Sequence, residues 1–444
     1  MATSACSPGP AYWPPEIIEE IARHIDDSET SSSTSTLCQC TLVSRHFRSI
    51  FQPLAFERVG MHDLDTADIE YNSSSGRNYN RTLASFARLL GLRPDIATFV
   101  RGLHLQIGFV CTYLSPREHM PAKNTLQYGP RILEGLDRLD EFSLESLPRA
   151  RDTDFFDAIT ETLRSGFEAT LRLPTLHTLN VYNFLHLPAS IVLSPTSAVR
   201  SLKLVKSSLA PSGEDVHSAS HLSTLELVEV DMGPQQSLVS TISAHPNAFR
   251  ALRHLKATNS SIFAVEKIAS SAGESLQDLN VSGRYHSEST IYGSVPHSFD
   301  AIDLTGNPRI KSLSLSYTSG VRPRTLKEVL LCSTCPTLRT LFRSDLERFT
   351  LKFNVLRKEG VVEILSIDAW AHLDSVFSDG HFPRLRVVKI CIGDVFPQSL
   401  SKDSVNNIAE RLEEARTNLL PSVAALSSVN FDLLSNFTDT ELSS

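Results

Sequence analysis

Apolar residues recur along most of this chain in one spacing: an apolar position, two others, an apolar position, one other, and a third apolar position. The unit appears as Leu176, Leu179 and Val181, then Val199, Leu202 and Leu204, then Leu222, Leu225 and Leu227, with its first members 23 residues apart. It continues at Leu252 and Leu255, at Leu276, Leu279 and Val281, and at Ile310, Leu313 and Leu315. Two further members are Val362, Leu365 and Ile367, then Leu385, Val388 and Ile390. Weaker members bracket the series at Val100, Leu103 and Leu105, at Leu139, Phe142 and Leu144, and at Leu426, Val429 and Phe431. Near Leu338 and Leu346 the register is ambiguous, because Arg343 falls on an apolar position. The closing apolar–polar–apolar step predicts a short strand in each unit. Helical periods lie between: Phe155, Phe156, Ile159, Leu163 and Phe167; Leu238 and Ile242; Leu373, Val376 and Phe377. A last helix is expected over 403–420, capped by Asp403 and carrying Ile408 and Leu412. Residues 113–130 fit neither pattern.

A strand and a helix of this size cannot bury their apolar faces alone, so successive units stack. The pattern therefore predicts an α/β solenoid over 81–435, with a parallel inner sheet and a helical outer side. The competing reading is a doubly wound α/β sheet, which rarely keeps a 23-residue step. Residues flanking the apolar strand positions then point to the concave face. These are Asn180, Lys203, Glu226, Lys256, Asn280, Ser314, Ser366 and Lys389, with Tyr182, Asp278 and Asp368 at the strand margins. Their charge is mixed, without a stripe of one sign.

The chain begins differently. Trp13-Pro14-Pro15-Glu16 leads into Ile17, Ile18, Ile21 and Ile25, which share one face of a helix. Residues 28–36 are Ser/Thr-rich and read as a loop with nothing to bury. A second amphipathic segment carries Leu37, Cys40, Leu42, Val43, Phe47, Ile50 and Phe51, is expected to stop near Pro53, and gives way to an extended stretch over 54–59. Residues 60–80 are polar and read as a linker.

Residues 13–59 resemble an F-box. The family pattern is an apolar-Pro-x-Glu start into an Ile/Leu helix, then Cys-x-Leu-Val-Ser-Arg-x-Phe, then an aromatic before a basic residue. This chain offers Trp13-Pro14-Pro15-Glu16-Ile17-Ile18, then Cys40-Thr41-Leu42-Val43-Ser44-Arg45-His46-Phe47, then Phe56-Glu57-Arg58. An F-box followed by irregular leucine-rich repeats is similar to the expanded F-box families of mushroom-type fungi. Two departures stand out: Trp13 replaces the usual leucine, and the Ser/Thr-rich loop separates the first helices by more than usual.

The resemblance implies an N-terminal all-helical F-box module ahead of an irregular leucine-rich-repeat solenoid, working as a substrate receptor of an SCF-type ubiquitin ligase. In that family the F-box packs on a Skp-type adaptor held by a cullin scaffold. It performs no chemistry and raises the concentration of target lysines near the ubiquitin thioester. On this chain the adaptor contact would fall to Trp13, Pro14, Ile17, Ile18, Ile21, Leu42, Val43 and Phe47, and the solenoid would hold an unknown protein substrate. Part of that set would also serve as internal packing, and the helices alone would suffice to cap a solenoid end. A free-standing leucine-rich-repeat scaffold outside any ligase is the alternative. A hydrolase is the third reading, and needs a perturbed His or carboxylate cluster in a deep pocket.

Composition narrows the field. Net charge is -8 without a Lys/Arg block, which argues against a nucleic-acid partner. Hydrophobic residues make up 41%, enough for a sizeable core, yet no apolar run approaches a membrane span. The first twelve residues lack the basic start and apolar stretch of a secretory signal, so a cytoplasmic or nuclear location with reduced thiols is expected. Cys332 and Cys335 form a lone C-x-x-C without a partner pair or His pair, so no metal or other cofactor is expected. Walker, G-x-G-x-x-G, H-E-x-x-H and G-x-S-x-G sequences are missing.

Overall fold

The computed structural model describes residues 17–18, 20–21, 24, 33–62, 81–107, 109–111, 119–121, 123–146, 161–184, 186–210, 220–230, 237–285, 301–319, 327, 329–355, 365, 368–378, 380–394, 410, 415, 418–426 and 428–435. They form a mixed α/β chain with a large parallel sheet, divided into two compact units, Met1–Tyr182 and Asn183–Ser444.

The first unit opens with helices. Ile17, Ile18, Glu20, Ile21 and His24 are helical, followed by helices Ser33–Cys40 and Arg45–Glu57. The Ser44 hydroxyl caps the latter, accepting the Phe47 N–H at 3.1 Å. Ile18, Leu37, Phe51 and Ala55 form a buried cluster against which Phe47, Ile50 and Leu54 pack. Three expectations are corrected here. The Ser/Thr-rich loop gives way to helix at Ser33, the amphipathic segment is broken by a turn at Thr41–Val43, and Pro53 lies inside a helix that runs on to Glu57. Phe51 and Ala55, one turn apart on either side of Pro53, bury on the same cluster and hold the helix across it.

The sheet of this unit runs in the order β2–β1–β3–β6–β7. Its strands are β1 Arg58–His62, β2 Arg81–Thr82, β3 Gly102–Ile107, β6 Glu141–Ser146 and β7 Thr178–Tyr182, all parallel. The expected linker thus begins inside a sheet strand, because Val59 and Met61 are buried and pair with Leu103 and Leu105. Parallel neighbours require crossovers, and helices Leu83–Leu92, Lys123–Gly135 and Glu161–Leu171 lie between them in sequence. Gly129 allows the close approach of the last two: a Cβ there would come 2.9 Å from the Leu163 Cδ1. Part of the unassigned 113–130 region is an antiparallel strand, β5 His119–Pro121, on β4 Phe109–Cys111, and the start of the 123–135 helix.

The second unit carries a parallel sheet in the order β9–β11–β12–β13–β14–β15–β16–β17. These are Ser201–Val205, Thr224–Val228, His254–Thr258, Asp278–Tyr285, Ser312–Ser319, Arg348–Val355, Val387–Asp394 and Asn430–Ser435. A short pair, β8 Leu187–Pro188 with β10 Leu209–Ala210, stands apart. The apolar positions read from the sequence lie in line, with Phe349 filling the ambiguous place: Leu202, Leu225, Leu255, Leu279, Leu313, Phe349, Val388 and Phe431 form one unbroken row. Helices pack on this apolar face. Phe377 meets Phe349 at 5.3 Å and Trp370 meets Phe353 edge-on at 5.9 Å, both from helix Trp370–Ser378.

The ambiguous register near 338–351 resolves in favour of Leu346, Phe349 and Leu351, all buried, while Leu338 lies in helix Cys335–Thr340. Of the strand expected at Val362, Leu365 and Ile367, only Leu365 is among the described residues, and it is helical. Short apolar runs of this spacing suit either element, and the sheet position was already filled by Arg348–Val355. Residues 155–160 and most of 403–417 lie outside the described residues; Leu163 and Phe167 are buried in their helix.

Strand length changes along this unit for a local reason. Asn183, Lys206, Glu229 and Asn259 hold φ of 56, 48, 53 and 47°. At each, the chain turns into the left-handed region, and its N–H still donates to the next strand, to Val205, Val228, Thr258 and Ser282 at 2.7–2.8 Å. Lys206 and Glu229 lack glycine's freedom, at a cost of about 1–2 kcal/mol each; their side chains meet at 3.3 Å. β9, β11 and β12 therefore stop after five residues, whereas β13 to β16 run for eight.

Candidate functional site

Two surfaces gather the residues singled out in the sequence, one in each unit. In the first, Ile17, Ile21, Leu42 and Val43 are exposed, which is unusual for large apolar side chains beside an available core. Leu42 and Val43 occupy the turn between helices Ser33–Cys40 and Arg45–Glu57. Two residues of the expected adaptor contact point elsewhere: Ile18 is buried in the unit's own cluster, and half-buried Phe47 stacks on Phe51 at 5.5 Å. Trp13 and Pro14 lie outside the described residues.

In the second unit the residues that alternate with the apolar row make the opposite face polar. Lys203, Glu226, Lys256, Asn280, Ser314, Thr350, Lys389 and Asp432 stand side by side across eight strands. Five of the expected recognition residues thus share one line with Lys203, and Thr350 and Asp432 complete it. Glu226 holds both neighbouring lysines, Lys203 at 3.3 Å and Lys256 at 3.0 Å. One row away, His254 Nδ1 lies 2.7 Å from the Asp278 carboxylate. These groups border a shallow groove of about 230 Å³ lined by Thr224, His254, Lys256, Asp278, Asn280 and Ser314.

Toward the other edge the face is basic. Arg348 and Lys352 alternate with Thr350 on β15, and Lys389 lies beside Thr350 on β16. Lys352 and Lys389 flank the Cys391 thiol; its burial pushes the pKa up and outweighs the two ammonium charges, which act the other way. Arg348 and Lys352 were not picked out from the sequence, because the register of their strand was ambiguous there; Cys391 lies one residue past the last apolar position read on β16. Ser366 lies outside the described residues, and Asp368, beyond any strand, pairs with Lys327 at 2.8 Å. That lysine holds the Asp368 carboxyl below its ordinary range.

Asn180, the remaining expected residue, belongs to the first unit. Its amide donates to Ser143 Oγ and Glu141 Oε1, both at 3.0 Å. Beside it His104 Nε2 and the Glu145 carboxylate meet at 3.1 Å, both almost wholly buried, with the Tyr182 ring 6.0 Å from His104. Asn180 and Tyr182 were read from the sequence as face residues, but the hydrogen bonds of this buried polar cluster were not, because each joins residues 37 or more apart. Among the described residues no group of three His, Cys, Asp or Glu is placed to hold a metal ion, and no helix is long and apolar enough to cross a membrane.

The sequence was compared with protein-family models and with curated proteins, and neither a family model nor a curated protein matches it. One unit presents an exposed apolar turn, and the other a wide polar sheet face with paired charges at one end and, among the described residues, cations outside any ion pair at the other.

Proposed function

We propose that this chain is a substrate-recognition adaptor of an SCF-type ubiquitin ligase, docking a Skp-type adaptor through an N-terminal F-box and holding a protein target on a leucine-rich-repeat-like solenoid. The observation that carries this reading is the position of Leu42 and Val43. They sit at the centre of the Cys-x-Leu-Val-Ser-Arg-x-Phe stretch and lie exposed, although a formed apolar cluster of Ile18, Leu37, Phe51 and Ala55 is at hand. Apolar side chains kept out of a neighbouring core are those a partner covers. The in-line apolar row of the second unit supports the solenoid, and its polar face supplies the extended surface that such repeats use for targets.

The test is co-expression of the full chain with a Skp-type adaptor, followed by gel filtration. A stable one-to-one complex is the expected result. Failure to co-elute would remove the ligase role and leave the free-standing scaffold, whose best support is that Ile18 and Phe47 are taken up by internal packing.

A further inference from the structure

We propose that the basic end of the polar sheet face, built from Arg348, Lys352 and Lys389, receives an extended, carboxylate-rich segment of the protein target. This deepens the reading of that face as the target-binding surface and is independent of adaptor docking.

Register puts all three cations on one side. Arg348 shares a row with Ser312 and Val387, Lys389 with Ser314 and Thr350, and Lys352 with Ser316 and Cys391. Lys203 and Lys256 close on Glu226, but none of these three cations joins an ion pair among the described residues. Among the described residues Asp432 on the next strand is the one acid in register with any of them, opposite Lys389; Asp278, in the row of Arg348, lies two strands away and is engaged by His254. Lys352 and Lys389 are half-buried. Like charges set side by side repel, and a chain of net charge -8 has acids to spare for neutralising them. They are instead set together where the strands run long, on the widest part of the face.

Spacing selects the ligand. Alternate residues of a strand are about 6.6 Å apart and neighbouring strands about 4.8 Å apart. Arg348 and Lys352 are thus separated by about 13 Å, with Lys389 level with the midpoint on the next strand. An extended peptide lying along the strands repeats its own side chains at that interval. Carboxylates at its first, third and fifth positions would meet Arg348, Lys389 and Lys352 in turn, with the Ser314, Ser316 and Thr350 hydroxyls between them as donors. Three cations with Asp432 beside them make too narrow a field for a nucleic-acid backbone.

The test uses the full-length chain and fluorescent synthetic peptides of equal length, alternating serine with glutamate, glutamine, lysine or phosphoserine, read by anisotropy. The glutamate probe should bind and weaken as salt rises. Lys352→Gln with Lys389→Gln should weaken it about tenfold or more, as expected for two partly desolvated charge contacts. Lys203→Gln with Lys256→Gln should leave it within about twofold, because Glu226 already engages those lysines. Equal loss in both double variants, glutamate and lysine probes bound alike, or no binding of the glutamate probe would each overturn the proposal. Capture of the phosphoserine probe alone would overturn the carboxylate assignment. Failure here with an intact adaptor complex leaves the docking module standing, whereas loss of that complex leaves this measurement readable.

Discussion

Changing Ile17, Leu42 and Val43 together to aspartate separates docking from folding, because of where these side chains lie. Leu42 is 77% exposed, Val43 67% and Ile17 44%, so nearly two side chains' worth of apolar surface remains wet in the free protein. Full burial of such a side chain is worth about 1.5–3 kcal/mol, so a partner that covers all three gains about 3–6 kcal/mol. Losing that gain weakens the complex by about 10²–10⁴-fold in Kd, before any cost of confronting the partner with three carboxylates. Folding should hardly register the change, since exposed substitutions usually stay within about 0.5 kcal/mol. The assay is titration calorimetry of the full chain with a Skp-type adaptor, alongside thermal melting of the chain alone. Affinity retained within about tenfold would refute the docking face. Affinity lost together with a large fall in melting temperature would refute the reasoning differently, by showing that these residues support the module from within.

Other perturbations test the interior. Leu202, Leu225 and Leu279 are almost wholly buried in one row, and each change to alanine should cost about 2–5 kcal/mol, seen as a lower denaturant midpoint. The Asp374 carboxylate accepts the Ser422 and Val423 N–H groups, each at 3.1 Å, from the first turn of helix Pro421–Ala425. Asp374→Ala should cost about 2–4 kcal/mol by stranding two donors, and Asp374→Asn less; faster amide exchange confined to that helix would show it. Glu145→Ala leaves a buried His104 without its carboxylate and should cost about 1–3 kcal/mol in denaturant unfolding, with Glu145→Gln milder. Burial raises the Cys335 thiol to about 11, so at pH 8 only about one part in a thousand is thiolate and alkylation should spare it; exposed Cys332 should react first, as followed by peptide mass spectrometry.

Strand positions were legible because a single physical demand writes them. Each strand buries one face, so its apolar residues repeat at a fixed interval, and Leu202, Leu225, Leu255, Leu279 and Leu313 fall in one register. The same period misled at Leu365, where helix and strand bury similar residues and length does not separate them. Pro53 misled for the opposite reason. A helix-interior proline costs about 3 kcal/mol, yet Phe51 and Ala55 pack into the cluster on either side of it, and tertiary burial outweighs the local penalty. Contacts across sequence, such as Asp374 with Val423 or His104 with Glu145, leave no periodic trace, since each depends on two distant residues meeting once. The polar face lies between. Its residues can be read off as those that alternate with the apolar row, but which of them are paired depends on neighbours one strand away.

That dependence bears on specificity. At the β9–β12 end the left-handed turn after each strand limits the face to five residues, and the charges there close on one another: Lys203 and Lys256 on Glu226, Lys206 on Glu229, His254 on Asp278. An incoming ligand would have to break a pair to make one, so little net affinity is to be had there. From β13 onward the turn is dropped, the strands lengthen, and the cations of β15 and β16 join no ion pair among the described residues. A contact made there replaces water alone. Discrimination between targets should therefore be concentrated on Arg348, Lys352 and Lys389, with the paired end acting as a surface that an ill-matched ligand pays to approach.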